Sequence, residues 1–150
     1  MTDKKKLGRI QRLVWLKERR RDAAQAHLAK ARAEAAAAAE RADRAQQRFE
    51  QQAEQQVEQH DDVDASVSDW VVQRQHVTGL GIQADGAHVE RQQAEDVATE
   101  RRGDVHHAER ELRKMEKWSE VEEARAELES QRLEQGATDE LAAQITERKR

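Results

Sequence analysis

His106 and His107 form the one adjacent histidine pair in the chain and are the first place to look for metal chemistry. Successive residues on a helix point roughly 100° apart, so the two rings diverge, whereas chelation from one helix needs an i, i+4 pair. His27, His60, His76 and His88 are scattered along the sequence, and the absence of cysteine removes thiolate ligands and disulfides together. Gly79-Leu80-Gly81 is the nearest approach to a phosphate cradle, but it lacks the remainder of both GxxxxGK(S/T) and GxGxxG. A Ser/His/Asp centre needs a pocket that excludes water, which a chain with few bulky residues does not build. The sequence therefore assigns no catalytic residue, no cofactor and no metal ligand, and the expectation is a protein that is not an enzyme.

Lys4-Lys5-Lys6 and Arg19-Arg20-Arg21 have the charge of a nucleic-acid-binding arm. Leu7, Ile10, Leu13, Val14, Trp15 and Leu16 lie between them, too apolar for a helix in a groove, and the whole chain has a net charge of −4. A nucleic-acid adaptor stands as a third reading, to be revived by steeply salt-dependent DNA affinity.

The elements that carry these residues follow from composition. Of the 150 residues, 36% are hydrophobic and 3% aromatic, too little bulk for a globular core, while 39% are charged. Disorder is the competing outcome, since such a chain cannot usually offset the entropy of ordering. The abundant residues are instead Ala, Glu, Arg, Gln and Leu, all strong helix formers, and there is no proline. Long helices are expected.

A strict 3.5-residue spacing runs through Leu7, Ile10, Val14, Lys17, Arg21, Ala24, Leu28, Ala31, Ala35, Ala38, Ala42, Ala45 and Phe49. Small alanines let helix axes approach closely, which favours a slim two-stranded coil, and the second half of the chain supplies the partner. Gly79, Gly81 and Gly86 mark a reversal, expected near residue 78, with N-cap candidates at Asp61, Asp62, Asp64 and Ser66. The core candidates of the second helix are Val89, Val97, Val105, Ala108, Leu112, Met115, Val121, Ala124, Leu128, Leu141 and Ile145. Val121, Ala124 and Leu128 imply a stutter in the heptad, and Gly103 and Gly136 are candidate bends. The expected fold is all-α: one long antiparallel two-helix coiled-coil hairpin spanning 1–150, with a helix over 7–60, a short helix or irregular turn near residues 61–85, and a helix over 86–148. On this register Leu7 to Leu16 lie beside Leu141 and Ile145, with both chain ends at one tip.

Charge distinguishes the two ends of such a hairpin. Residues 1–21 carry nine Lys or Arg against two Asp or Glu, and residues 57–100 carry ten acids against two Arg. Oppositely charged ends suit different partners, because complementary charge steers association and excludes wrong partners. Leu13 and Leu16, with Trp15, fall off the seam and widen the apolar stripe. Either a further protein covers them, or the closing helix does so through Leu133, Leu141 and Ile145. Phe49 on the seam suits a structural role and Trp70 a contact role. No apolar run approaches the roughly 20 residues of a membrane span, and Arg9, Arg12 and Lys17 interrupt any secretory leader. A cytoplasmic protein is expected.

The stretch Arg9-Ile10-Gln11-Arg12-Leu13-Val14-Trp15-Leu16-Lys17-Glu18-Arg19-Arg20-Arg21-Asp22-Ala23-Ala24 resembles the opening of the type III secretion stalk proteins, the flagellar FliJ and injectisome SctO/YscO family. The segment Arg110-Glu111-Leu112-Arg113-Lys114-Met115-Glu116-Lys117-Trp118, followed by a charged helix through Thr138-Asp139-Glu140-Leu141-Ala142, looks like that family's closing helix. The resemblance implies a non-enzymatic central stalk, peripheral to the inner-membrane export apparatus, that links a hexameric secretion ATPase to the cytoplasmic ring of the export gate. Secretion chaperones are a further candidate partner. Arg12, Lys17, Arg19 and Arg20, with the apolar Leu13 and Leu16, would then meet the ATPase, and Trp70, Asp69 and Val71 would face the gate. The alternative is a structural spacer that dimerises in parallel through the 7–49 seam.

Overall fold

In the computed structural model the described residues are 2–60 and 66–148. They form two helices, α1 (Thr2–His60) and α2 (Val67–Arg148), and no strand. The fold class is the expected one, two long helices packed against each other as a hairpin.

The expected turn over 61–85 is corrected. Residues 61–65 lie outside the described residues, and from Val67 onwards the chain is already α-helical. A glycine inside a helix costs only about 1 kcal/mol relative to alanine, and with no proline nearby the cluster Gly79, Gly81 and Gly86 does not stop α2. No glycine among the described residues has a positive φ. Helix α2 starts on the last of the expected caps. The Asp69 amide donates to Ser66 Oγ at 3.2 Å, Ser66 Oγ donates to Asp69 Oδ2 at 2.7 Å, and the Trp70 amide donates to the Ser66 carbonyl at 3.1 Å. Gly103 and Gly136 are equally continuous with α2.

The chain divides into two compact units, one of Met1–Ala23 with His106–Arg150 and the other of Ala24–Val105. In the first, Lys6 pairs with Glu122 at 2.8 Å and Lys17 with Glu111 at 3.3 Å. Eleven residues forward on α1 (6 to 17) thus match eleven back on α2 (122 to 111), the signature of an antiparallel pair. Ile10, at 1% exposure, and Leu112 form its buried centre, with Leu7, Val14, Ala108 and Met115 half-buried around them and Ser119 buried. The stutter is corrected here. The buried line continues through Met115, Ser119, Glu122 and Ala126 in unbroken 3.5 spacing, while Val121, Ala124 and Leu128 face outwards. Leu7 to Leu16 therefore sit beside the 112–122 region. Leu141 and Ile145 are exposed, and α2 runs past the start of α1 with every residue from Glu127 to Arg148 exposed. The expected closure of both termini at one tip fails because α2 already begins at Val67 and is the longer helix: 82 residues against 59.

In the second unit Leu28, Ala31, Ala38 and Ala42 of α1 are buried, as are Val77, Ala84 and Val105 of α2. Ala87, Ala94 and Ala98 continue the α2 seam half-buried, whereas Val89 and Val97, expected in the core, are exposed. A Cβ on Gly81 would come within 3.2 Å of Phe49 Cε2, so Gly81 makes room for the aromatic ring on the α1 seam. Arg91 reaches Asp43 at 3.7 Å across the pair.

Candidate protein-interaction site

Once the seam of α1 is committed to α2, its opposite face in the first unit remains. Arg9, Arg12, Leu13, Leu16 and Arg20 are exposed and fall at i, i+3, i+4, i+7 and i+11, within one sector of the helix. Leu13 is 39% exposed and Leu16 40%. Arg9, Arg12 and Arg20 have no ion-pair partner among the described residues, so their charge is available to an external anion. Arg19 lies at the edge of this face with its guanidinium 5.2 Å from the centre of the Trp15 ring, a cation–π contact.

Lys17 differs from the other residues expected at this contact. It is on the seam, its side chain only 20% exposed, and its ammonium already meets Glu111. Hydrogen bonds from Lys114 first, and from Lys17, hold the Glu111 carboxyl below the ordinary glutamate value. Glu122 is likewise held low, chiefly by the hydrogen bond from Lys6, with Arg125 and Trp118 contributing. These carboxylates organise the unit and hold Lys6 and Lys17 in place. Arg12, Leu13, Leu16, Arg19 and Arg20 are thus brought together on the surface, and Lys17 is not.

Trp15 is 56% exposed on the other flank. There Gln11, Val14, Trp15 and Glu18 border an open groove whose α2 wall is Glu116, Ser119, Glu120 and Glu123. Ser119, buried in the seam, donates to Glu123 at 3.0 Å. The groove is acidic and the Arg12 face basic, so the two sides of this unit differ in sign. Leu133, Leu141 and Ile145 are 71%, 58% and 57% exposed, which corrects the reading that they cover Leu13 and Leu16. Trp118, 40% exposed, is an aromatic that sequence reasoning did not single out as a contact; its place one residue before the seam position Ser119 is the signal that would have found it.

In the second unit Trp70 is half-buried with Arg74 over its ring at 5.1 Å, and Val71 is 41% exposed. Val71, Arg74, Thr78 and Ile82 share a shallow face of α2. Asp69 is engaged with Ser66 in the cap, so of the three residues expected at the gate it already has a structural task, while Trp70 and Val71 are side by side at the surface. What both units offer is half-exposed apolar side chains bordered by charge. Among the described residues no group of three or more His, Asp or Glu is placed to hold a metal, and no helix is long and apolar enough to cross a membrane.

The family model of the flagellar FliJ protein matches residues 5–150 of the sequence, and the chain belongs to that family. It is accordingly a stalk protein of flagellar or type III export, associated with the export apparatus, from a family that is structural and not enzymatic. No curated protein matches the chain, and no solved structure does.

Proposed function

We propose that this protein is the central coupling stalk between a hexameric export ATPase and the cytoplasmic ring of the export gate, acting in the cytoplasm at the inner-membrane export apparatus, and that it also escorts secretion chaperones. The observation that carries the reading is the Arg12 face. Three arginines without an ion-pair partner among the described residues surround two leucines that α2 leaves partly uncovered, a combination suited to an acidic, partly apolar protein surface. Unpaired surface arginines accelerate encounter and select for complementary charge, and the leucines supply the area that keeps the complex together. Trp70 and Val71, an aromatic anchor with an aliphatic neighbour, are the contact proposed for the gate.

Co-purification with the hexameric ATPase tests the ATPase contact. Wild type should bind, and Arg12→Glu with Arg20→Glu should lower affinity by about tenfold or more, since two charges change sign at a rim where each repulsion is costly. Leu13→Asp with Leu16→Asp should do the same. Helical content and melting temperature of the arginine variant should match wild type, because both arginines are exposed and neither has an ion-pair partner among the described residues. Unchanged binding by both variants would sink the proposal. The spacer reading is weakened by the structure: the 7–49 seam it needs is already occupied, with Ala38 and Ala42 at 2% and 0% exposure within one chain.

A further inference from the structure

The α2 segment 127–148 is exposed throughout and packs against nothing among the described residues. Pairing with α1 ends at Ala126, the last half-buried residue, and the helix then continues for 22 exposed residues (127 to 148) with Gly136 inside it. The segment is amphipathic. Leu133, Ala137, Leu141 and Ile145 recur every four residues and trace one stripe, with Glu134 and Glu140 at its borders. Its charge is one-sided: residues 127–147 hold six carboxylates and one arginine before the closing Arg148, Lys149 and Arg150.

An acidic, apolar-striped helix needs a basic surface bearing leucines, and this chain carries one. Residues 5–21 hold eight Lys or Arg against Glu18 alone, and their outward face presents Leu13 and Leu16 between Arg9, Arg12 and Arg20, which have no ion-pair partner among the described residues. The segment cannot reach that face on its own chain, because α2 is unbroken through Gly136 and leads away from the start of α1. We infer that the occupant is a second copy: two chains meet start to start about a two-fold axis, and the α2 extension of each lies along the Arg12 face of the other. The lengths agree. An extension of 22 residues spans about 33 Å, and the face from Lys5 to Arg20, 16 residues, spans about 24 Å. Starting where its own pairing stops, each extension runs past the start of the partner's α1 and covers the whole basic face. The arrangement is isologous and closed, so it yields a dimer and no larger polymer. It would also occupy the face proposed to meet the ATPase, so self-association and ATPase binding would exclude each other.

Sedimentation equilibrium on the full chain, with no ATPase present, tests the inference separately from the coupling proposal. The expected result is a dimer at micromolar concentration and low ionic strength, with an association constant that falls by about tenfold or more as salt screens the opposed charges. Glu134→Lys with Glu140→Lys should weaken the dimer about as much as Arg12→Glu with Arg20→Glu, and combining all four should restore it. Leu133→Asp with Leu141→Asp should abolish it while leaving helical content unchanged, since both leucines are exposed in the single chain. A wild-type monomer throughout overturns the inference, including one that has folded back at Gly136 and protects its own extension from protease. So does a dimer indifferent to these variants, or a combined variant that is not restored.

Discussion

Replacing Gly81 by alanine tests the packing of the second unit at a single atom. A helix-interior glycine exchanged for alanine gains about 1 kcal/mol of stability from backbone entropy and solvation, provided the new methyl has room. At Gly79 and Gly86 a Cβ meets nothing within 4 Å, so each exchange should deliver that gain in full. At Gly81 the Cβ would lie 3.2, 3.5 and 3.8 Å from Cε2, Cδ2 and Cζ of Phe49. The ring must move by a few tenths of an ångström, and because Phe49 is only half-buried it swings outwards and loses part of its own contact. Overpacking of this kind costs about 1 kcal/mol at the mild end of its range, so Gly81→Ala should come out near neutral. In a Phe49→Ala background the obstruction is gone and the full gain should return. The four proteins form a double-mutant cycle with a coupling of about 1 kcal/mol, read by urea denaturation followed by circular dichroism. If Gly81→Ala stabilises both backgrounds equally, Phe49 does not face Gly81 and the register described for this unit is wrong.

Acid should weaken the first unit. Glu111 and Glu122 titrate below the ordinary glutamate value of 4.5 in the folded state, so their contribution is complete above that value and is lost as pH falls through the lower, folded value. Lys6→Met, which removes the largest cause acting on Glu122, should leave a smaller drop in melting temperature between neutral pH and about pH 3.5; an identical drop would deny the Lys6–Glu122 pair any role. Seam and surface positions should also separate cleanly. Ile10→Ala removes a side chain 1% exposed and should cost about 2–4 kcal/mol, whereas Val121→Ala, at 49% exposure, should change stability by less than about 0.5 kcal/mol. Comparable losses at the two sites in denaturant titrations would restore the stutter.

The first helix was legible because its sequence carries the heptad in both senses. Each of its thirteen assigned seam positions, from Leu7 to Phe49, is buried or half-buried. The second helix misleads because several of its large aliphatics are off the seam although Val77, Val105 and Leu112 are on it. Val89, Val97, Val121 and Leu128 face solvent, while Ala84, Ala87, Ala94, Ala98, Ser119 and Glu122 pack inwards, so ranking positions by hydrophobicity selects the wrong face. In the second unit the small α1 alanines bring the helices close, so that small residues suit much of the facing seam, and in the first unit Glu122 packs inwards by reaching Lys6. The glycines misled for a related reason. One of them, Gly81, marks a close contact between helices, and none marks a turn. The Arg12 face could be read in advance as what the seam leaves over, but Lys17 could not be separated from it without knowing that Glu111 lies opposite.

An alanine seam raises a problem of its own, which the polar seam residues answer. Alanines repeated at heptad spacing pack almost as well after a slip of seven residues, so apolar burial alone does not define which residues face each other. In the first unit, slipping α2 by one heptad would replace Glu111 opposite Lys17 with Asp104 or Trp118, and Glu122 opposite Lys6 with Met115 or Glu129. In the second, it would put Arg74 or His88 where Phe49 requires Gly81, and Ala84 or Ala98 where Asp43 meets Arg91. No single slip keeps every pair, and the Phe49 site rejects a side chain in either direction. Exposed ion pairs contribute little net stability, so their effect here is on specificity: they raise the energy of the wrong registers more than they lower that of the right one. The register also sets where α1 stops along α2, and therefore how much of the second helix remains beyond it. Substituting Lys6, Lys17 and Arg91 together by Met should consequently broaden the population of registers with modest loss of helicity, seen as disulfide cross-links between cysteines placed at slipped seam positions, such as 14 with 108, that wild-type pairing forbids.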